Sequence, residues 1–456
     1  MKRILLTTLF SFGMIAALTA QTGPGGVGNS SNNVLWLDAS SLSLNDDDKI
    51  STWTDLSGNG NNAFQVDTAN QPTYKFSQLN GHPAILFDGL NDFLTLSNQV
   101  NSPAITTYIV FNSTNTRYQS VLALNKHHTS YGTNTSRYEF GGDKVKVDKD
   151  INGFSITSTY GGSTLPSTSY ILNDSRLNSK TRTSFSNIQN NSLGALYYNN
   201  SFNFFLDGSI VEILVYNEKL NSAKRKIVSE YLSGKYNITS EANLYNYKSN
   251  FGISIKGIGQ EPDGSHTISR GTDSLLLTNP SSLNDGDYLI VGSNGADYST
   301  SNSVPVSIVE RWNHVWRVDK TGTPGTVDLE FFLGSNGFSS INNYVVVIEN
   351  EDGDFSNGGT IIHETGRSFN AGSLSIKFTD VDLPDGSYFT LAEKEGTITS
   401  VQSGDWNTPS TWSCNCVPES FNDVEISNGD EVSVSSKSNI RNLVVSGSLA
   451  FNTNDT

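Results

Sequence analysis

Short runs of apolar and β-branched residues, separated by Gly, Asn, Ser and Asp, recur along almost the whole chain. In the clearest run, residues 207–216, apolar Ile210, Ile213 and Val215 flank the polar Glu212. Short runs of this kind between turn-forming residues are typical of strands in β-sandwiches and barrels. The pattern therefore predicts an all-β protein.

One segment has a helical period instead. Ala223, Ile227 and Tyr231 recur every four residues, and Asn221 or Ser222 precedes them as a plausible N-cap. We therefore predict a single amphipathic helix, packed on the β-structure before it.

The chain has 456 residues, which is too many for one hydrophobic core. The pattern divides it into a first β-region over residues 33–238, a second over residues 239–395 and a third over residues 396–456. Residues 239–250 are polar and are interpreted as a linker or a first strand. The short, evenly spaced strands of the third region predict the first coils of a solenoid or an incomplete sandwich. We expect this last repeat to be truncated.

The N-terminus has the pattern of a secretory signal peptide over residues 1–20. Lys2 and Arg3 precede an apolar run, and the small residue Ala20 closes it. Residues 21–32 are rich in Gly, Ser and Asn and are predicted to be a flexible leader. No later segment is long and apolar enough to span a bilayer. We therefore expect an exported protein, extracellular or on the outer cell surface.

The formal charge of −16 disfavours nucleic acid and anionic lipid as partners. Cations and neutral sugars remain compatible with it. The two cysteines, Cys414 and Cys416, are too close in sequence to join distant strands, and no histidine lies near them to complete a zinc site.

Residues 52–63 end a strand and continue into a loop that alternates Gly with Asn. Such a loop can direct several oxygens at one point, as a Ca²⁺ site requires. A second carboxylate would come from the late strand, so the candidate calcium ligands are Asp55, Asn59, Asn61, Asp207 and Glu212. A plain surface turn, rich in Gly and Asn for conformational reasons, is the alternative.

The first region resembles the concanavalin A-like, LamG-type jelly-roll family of bacterial surface proteins. The resemblance rests on Leu-Trp-Leu-Asp-Ala at 35–39, Trp-Thr-Asp-Leu-Ser-Gly-Asn-Gly-Asn at 53–61, Ile-Leu-Phe-Asp-Gly at 85–89, and the strand and helix over residues 208–236. It covers residues 33–238. It implies a two-sheet jelly roll that binds carbohydrate or protein, in some cases with Ca²⁺.

The second region resembles an uncharacterised β-sandwich domain that follows this jelly roll in secreted Bacteroidetes proteins. Gly-Ile-Gly-Gln-Glu at 257–261 and Asp-Gly-Asp-Phe-Ser at 352–356 carry that resemblance. Proteins of that kind commonly end in a sorting domain for type IX secretion, and this sequence contains no such domain. The acidic run at residues 350–354 also resembles a calcium loop, but its Gly comes too early for an EF-hand, which favours a hairpin turn.

No nucleophile elbow, zinc-protease motif or P-loop occurs in the sequence. Glu212 is followed by Ile213 and Leu214, so its strand lacks the paired acids of the related glucanases. The pair His127–His128 has no third metal ligand in view. Aromatic residues that could stack on sugar rings, or else belong to the core, are Trp53, Tyr108, Tyr197, Tyr198 and Phe204.

These patterns predict a binding or adhesion protein without a catalytic role, whose jelly roll binds carbohydrate or a surface ligand, including a surface protein. Two alternatives stay open. The chain can be the binding portion of a secreted glycan-degrading enzyme whose catalytic part is missing here, or a structural adhesin stalk.

Overall fold

A computed structural model describes residues 22–451, except positions 114, 116, 126, 132–137, 141–153, 162–167, 173–177, 181–189, 241, 306, 336, 338–342, 358–359, 395, 419–421 and 441. The predicted signal peptide lies outside the described residues. Strands dominate the rest, and the all-β prediction is confirmed. Within the described residues, no helix has the length and apolar character needed to cross a membrane.

The strands of the first region are β1 (Asn33–Asp38), β2 (Thr52–Trp53), β3 (Ala63–Phe64), β4 (Thr73–Leu79), β5 (His82–Asp88), β6 (Leu94–Leu96), β7 (Ile105–Asn112), β8 (Gln119–Leu124), β9 (His127–Tyr131), β10 (Tyr138–Phe140), β11 (Ser155–Gly161), β12 (Thr168–Leu172), β13 (Asn178–Lys180), β14 (Ser192–Leu193), β15 (Leu196–Tyr198), β16 (Ser201–Asn203) and β17 (Asp207–Tyr216).

These strands form the two-sheet jelly roll that the sequence predicts. Sheet I has the order β13-β12-β11-β7-β17-β5-β4, with β1 also paired to β17, and sheet II has the order β10-β9-β8-β14-β6-β3-β2. Alternate residues of each strand fill the space between the sheets, among them Leu35, Leu37, Ile213 and Val215. The hairpin β15-β16 stands apart from both sheets.

The predicted helix is α1 (Ser222–Tyr236). The Asn221 side chain accepts a hydrogen bond from Lys224 N at 2.9 Å and caps the first turn. Asn237 adopts the left-handed conformation and ends the helix. The apolar positions that predicted α1 are buried, and they cover the outer face of sheet I.

The second region begins with α2 (Lys248–Phe251) and continues through β18 (Ile253–Glu261), β19 (Gly264–His266), β20 (Ser269–Arg270), β21 (Leu275–Thr278), β22 (Tyr288–Ser293), β23 (Thr300–Ser301), β24 (Ile308–Trp312), β25 (Trp316–Thr321), β26 (Val327–Phe332), β27 (Tyr344–Glu349), β28 (Thr360–His363), β29 (Ser368–Asn370), β30 (Ser375–Val381) and β31 (Tyr388–Lys394).

A second sandwich results. Sheet III has the order β19-β18-β22-β25-β31-β24-β23, with β27 paired to β31 and β28 to β27, and sheet IV has the order β20-β21-β26-β30-β29. Large rings fill its core, where Trp316 stacks on Phe389 at 5.6 Å and meets Phe331 edge-on at 5.6 Å.

The two sandwiches share α1. A single cluster of buried side chains includes Trp36 and Tyr108 of the jelly roll together with Ile255 and Tyr288 of the second sandwich, on opposite sides of the helix. Residues 239–250 are therefore not a free linker, since Tyr245 is fully buried in the same cluster. Too few apolar residues mark this stretch for a periodic pattern to predict its packing.

The segment predicted to be a flexible leader is packed instead, because residues 23–28 are buried. Gly25 O accepts a hydrogen bond from Ser269 Oγ at 3.2 Å, and Gly26 O lies 3.1 Å from His266 Nε2. A Cβ on Gly26 would lie 2.0 Å from Ser269 Oγ. The glycines therefore permit close packing on the second sandwich, and the prediction of flexibility from composition is wrong for residues 23–28.

The strands of the third region are β32 (Ile398–Thr399), β33 (Gly404–Asp405), β34 (Asp423–Ile426), β35 (Glu431–Val434), β36 (Asn442–Val445) and β37 (Ser448–Phe451). They pair in parallel in the orders β32-β34-β36 and β33-β35-β37. Parallel stacking of successive turns is the pairing of a solenoid rather than of a sandwich. Cys414 and Cys416 form a disulfide within one loop of this region.

Candidate functional site

The loop after β2 is folded around the Asp55 carboxylate. Asp55 Oδ1 accepts hydrogen bonds from Trp36 N and Ser57 N, both at 2.9 Å. Asp55 Oδ2 accepts from Ser57 Oγ at 2.8 Å and from Asn61 N at 2.9 Å. The carboxylate therefore closes the loop over the edge of β1 that does not pair with β17.

The two asparagines of the predicted calcium set act in the same way. Asn59 Nδ2 donates to Ser30 O at 2.9 Å and to Asn33 O at 3.0 Å. Asn61 Nδ2 donates to Val34 O at 2.7 Å. Both amides attach the loop to the backbone at the start of β1, which is the structural role that the surface-turn alternative assigns to them.

Glu212 belongs to a buried group that we call the charged cluster, formed by Trp36, Asp38, Glu212, Tyr231, Lys235 and Tyr236. Glu212 Oε1 accepts hydrogen bonds from Trp36 Nε1 at 2.7 Å and Tyr231 OH at 3.2 Å. Its Oε2 accepts from Tyr236 OH at 2.6 Å and Lys235 Nζ at 2.9 Å. Lys235 Nζ also donates to Asp38 Oδ2 at 2.6 Å.

The charged cluster fixes α1 to sheet I. Burial raises the pKa of Glu212, and the positive charge of Lys235 opposes that shift. Burial lowers the pKa of Lys235, but the surrounding acidic groups, Glu212 first and then Tyr231, Tyr236 and Asp38, together outweigh it, so the net shift is upward. The Glu212 side chain is fully enclosed, so its contacts support a role in packing the helix rather than in binding a ligand.

Asp207 lies at the other end of β17, opposite Asp88 of β5. Five residues of extended chain place it about 16 Å from Glu212. The structure therefore does not bring the five predicted calcium ligands together, because Glu212 faces α1 and Asp55 is occupied by its own loop. Across the described residues, no cluster of three or more His, Cys, Asp or Glu side chains is arranged to hold a metal ion.

The aromatic candidates divide into two groups. Trp53 and Tyr108 are buried in the core, as the alternative interpretation predicted. Tyr197 and Tyr198 lie on the hairpin β15-β16, and Phe204 follows it. Tyr198 is 54% exposed and Phe204 is 38% exposed, so these two rings are accessible.

The hairpin has a defined turn and an aromatic anchor. Asn199 and Asn200 both have positive φ, at 51° and 62°, as a two-residue type I′ turn requires. Phe202 stacks on Phe93 at 3.9 Å and meets Tyr197 edge-on at 5.2 Å. These contacts leave Tyr198 at the exposed end of the hairpin.

Phe204 holds an uncommon backbone conformation, with φ of 57°. A bulky side chain in this region costs about 1–2 kcal/mol. The Phe204 ring lies 5.0 Å from the Tyr118 ring and 6.3 Å from the Tyr198 ring, while its carbonyl accepts a hydrogen bond from Ser120 N at 2.8 Å. The fold therefore keeps Phe204 in a strained backbone conformation in which its ring lies at the surface.

Polar residues lie close to these aromatic residues along the chain. Asn115 Nδ2 donates to the exposed Asp207 Oδ2 at 2.9 Å, and Arg117 Nη2 donates to Gly89 O. Gly89 has φ of 74°, and a Cβ there would lie 2.6 Å from Asp207 Cβ, so the site requires glycine at this position. We call the side chains of Tyr118, Tyr198, Phe204, Asn115, Arg117 and Asp207 the rim.

The second sandwich has a cleft of about 610 Å³ beside α2. Side chains from five separate segments line it, among them Phe251, Asn294, Asp297, Arg311, Asp352 and Tyr388. The rings of Phe251 and Tyr388 meet edge-on at 5.5 Å. The sequence did not predict this cleft, because its residues come from segments up to 138 positions apart and share no motif.

The acidic run at residues 350–354 contributes to this cleft. It connects the antiparallel pair β27-β28, as expected of a hairpin connection. Gly353 has φ of 85°, and a Cβ there would lie 3.2 Å from the Tyr388 ring. The early glycine thus lets the turn approach Tyr388. The His127–His128 pair lies on β9, and its side chains are outside the described part of the chain.

A family model described as a domain of unknown function, DUF8202, matches residues 224–387. The match spans most of α1 and most of the second sandwich, including β18–β30. No curated protein matches the chain.

Several solved structures are similar in part. The CBM40 module of Ruminococcus gnavus IT-sialidase, bound to α2,3-sialyllactose, is 16% identical over 28% of this chain and 81% of that chain, with a TM-score of 0.23. A GH54 α-L-arabinofuranosidase is 15% identical over 61% of this chain and 68% of that chain, with a TM-score of 0.31. Trypanosoma rangeli sialidase with sialic acid is 14% identical over 48% of this chain and 36% of that chain, with a TM-score of 0.31. At such scores, function has to be argued from this chain's own residues.

Proposed function

We propose that this chain is an exported, non-catalytic protein that binds neutral carbohydrate at the rim of its jelly roll. The exposed rings of Tyr198 and Phe204, which come shortly before the exposed Asp207 at the start of β17, carry the proposal. The apolar C–H face of a sugar ring packs on an aromatic ring, and carboxylate and amide groups accept and donate hydrogen bonds to its hydroxyls.

The strain at Phe204 supports the rim as a binding surface. Left-handed backbone at a bulky residue is retained where the surroundings determine it, and such residues concentrate at ligand-binding sites. A ring needed only for packing could be presented from an unstrained position.

The negative charge of the chain favours neutral rather than acidic sugars as ligands of the rim. The chain carries a formal charge of −16, and Asp207 contributes a carboxylate to the rim. Arg117 is the one cation of the rim and is engaged with the Gly89 carbonyl. An acidic polysaccharide would therefore meet net repulsion.

The direct test is titration of the full chain with soluble arabinan, xyloglucan and mannan, with polygalacturonate as the acidic comparison. We expect binding to at least one neutral polysaccharide and weaker binding to polygalacturonate. The double variant Tyr198→Ala with Phe204→Gly should weaken the neutral interaction at least about tenfold, since burying two rings contributes more than 1.4 kcal/mol.

Phe76→Ala is the matched control, because Phe76 is also an exposed ring, 51% accessible, on β4 away from the rim. It should bind as the unaltered chain does. Equal loss in the control, or no binding to any neutral polysaccharide, would contradict the proposal.

A further inference from the structure

A lysine lies inside the second sandwich. Lys256 is on β18, where Ile255 points to α1 and Ile258 points into the core between sheets III and IV. Lys256 shares the inward face with Ile258, and its side chain has no solvent exposure. Lysine is almost never fully buried unless it is paired.

Its partner is Asp273, which precedes β21 of sheet IV and is 4% exposed. Lys256 Nζ lies 2.5 Å from both carboxylate oxygens of Asp273. Trp316 Nε1 donates to Asp273 Oδ2 at 2.8 Å, and Leu275 N donates to Oδ1 at 3.1 Å. The amine and the carboxyl carbon are thus held in contact, with N–H donors on both oxygens.

Core side chains pack against this pair, and the charge of Arg270 also acts on Lys256. Leu275 and Trp316 belong to the core cluster, and the Trp316 ring lies 6.0 Å from Lys256 Nζ. Burial lowers the pKa of Lys256, an effect that the negative charge of Asp273 opposes. Two charges enclosed in such a core are costly, and conversion of both into one neutral amide would remove that cost.

We propose that Lys256 and Asp273 condense after folding into an intramolecular isopeptide bond. The ion pair, with its three protons on Nζ, first passes one proton to a carboxyl oxygen, which gives a neutral amine and a neutral acid. The Nζ lone pair then attacks Asp273 Cγ. The C–O bond to Oδ1 breaks, and that oxygen leaves as water with two of the three original Nζ protons.

The local groups favour this step. Positioning of the two reactants in contact replaces a bimolecular encounter. The indole N–H of Trp316 stabilises negative charge on the retained Oδ2 in the tetrahedral intermediate. The product joins β18 of sheet III to the segment that enters sheet IV, across 17 positions of sequence, and restricts the unfolded chain.

Mass spectrometry of the purified, reduced full chain tests the proposal. We expect an intact mass lower than the calculated value by one water, about 18 Da, and the deficit should survive complete unfolding. Trypsin should release the peptide over residues 249–270 joined to the peptide over residues 271–311. A full calculated mass, with separate peptides over 249–256 and 271–311, would overturn the proposal.

Two variants locate the bond. Lys256→Met removes the amine, and Asp273→Ala removes the acid, so each should restore the full calculated mass. The matched control is Lys226→Met, because Lys226 Nζ also lies 2.5 Å from a carboxylate oxygen, that of Glu261, but its side chain is 40% exposed. The control should keep the deficit of one water. Persistence of the deficit in Lys256→Met would also overturn the proposal, and this readout does not require the variant to fold well.

Discussion

The two sandwiches bury charge in different ways. Beneath α1, Glu212 has four hydrogen-bond donors, and Lys235 is shared between two carboxylates. In the second sandwich, Lys256 and Asp273 face each other with one indole and one amide as further partners. Many donors can therefore stabilise a buried charge, whereas an ion pair with few further partners keeps a high desolvation cost, which the proposed isopeptide bond would remove.

The largest expected effect comes from removing the centre of the charged cluster. Glu212→Ala leaves the Trp36, Tyr231 and Tyr236 donors unpaired and should lower the free energy of unfolding by about 3–5 kcal/mol. Urea unfolding followed by tryptophan fluorescence measures it.

The control is Glu218→Ala, since Glu218 is partly exposed and pairs with Lys224 at 3.3 Å. That surface pair should contribute less than about 1 kcal/mol. If both variants lost a similar amount of free energy of unfolding, burial would not be the reason for the effect of Glu212→Ala.

The buried carboxylate of Asp92 should have the opposite effect, because its ionised form destabilises the fold although Lys49 partly offsets this. Asp92 is 2% exposed, and its Oδ1 has no hydrogen-bond partner within the described residues. Burial and the nearby Asp88 raise the pKa of Asp92 to about 6 from its usual 3.8. Its contribution to stability is thus fully present below about pH 4 and is lost as the pH rises through 6.

Asp92→Asn should therefore be more stable than the unaltered chain at pH 7.5, by about 2 kcal/mol, and close to it at pH 4. Urea unfolding at the two pH values measures the difference. An advantage of equal size at both would show that ionisation is not the cause.

The two ends of α1 permit a smaller test. Asn221→Ala removes the cap of the first turn and should cost about 1 kcal/mol. Asn237→Gly replaces a left-handed residue with the residue that prefers that conformation, so stability should be unchanged or slightly higher. Thermal unfolding compares them. Equal destabilisation by both variants would contradict the assignment of the caps.

The smallest expected effect is that of calcium. Both oxygens of Asp55 already accept two hydrogen bonds each, so Ca²⁺ followed by EDTA should leave the unfolding temperature unchanged. A rise with Ca²⁺ that EDTA reverses would instead establish a metal site, because a ligand that binds the folded state stabilises it.

Local patterns predicted the elements well. The four-residue period predicted α1, and the apolar run over residues 207–216 predicted the strand β17. The partners of single polar residues were not predictable, because they come from distant segments. Glu212 occupied a polar position in an apolar strand, and only α1 showed that it meets Lys235. The sequence predicted part of the rim, since Tyr198 and Phe204 were among the aromatic candidates. It did not distinguish these exposed residues from the buried Trp53.

The sequence by itself determined the class of structure: short strands, one capped helix and a chain divided into β-regions, all of which follow from local period and turn residues. Only the tertiary structure decided which of those elements contact each other. It placed α1 between two sandwiches, packed the glycine-rich residues 23–28 against the second sandwich, and brought Lys256 to Asp273. These outcomes depend on contacts between segments far apart in sequence, and local patterns carry no information about which segments will meet.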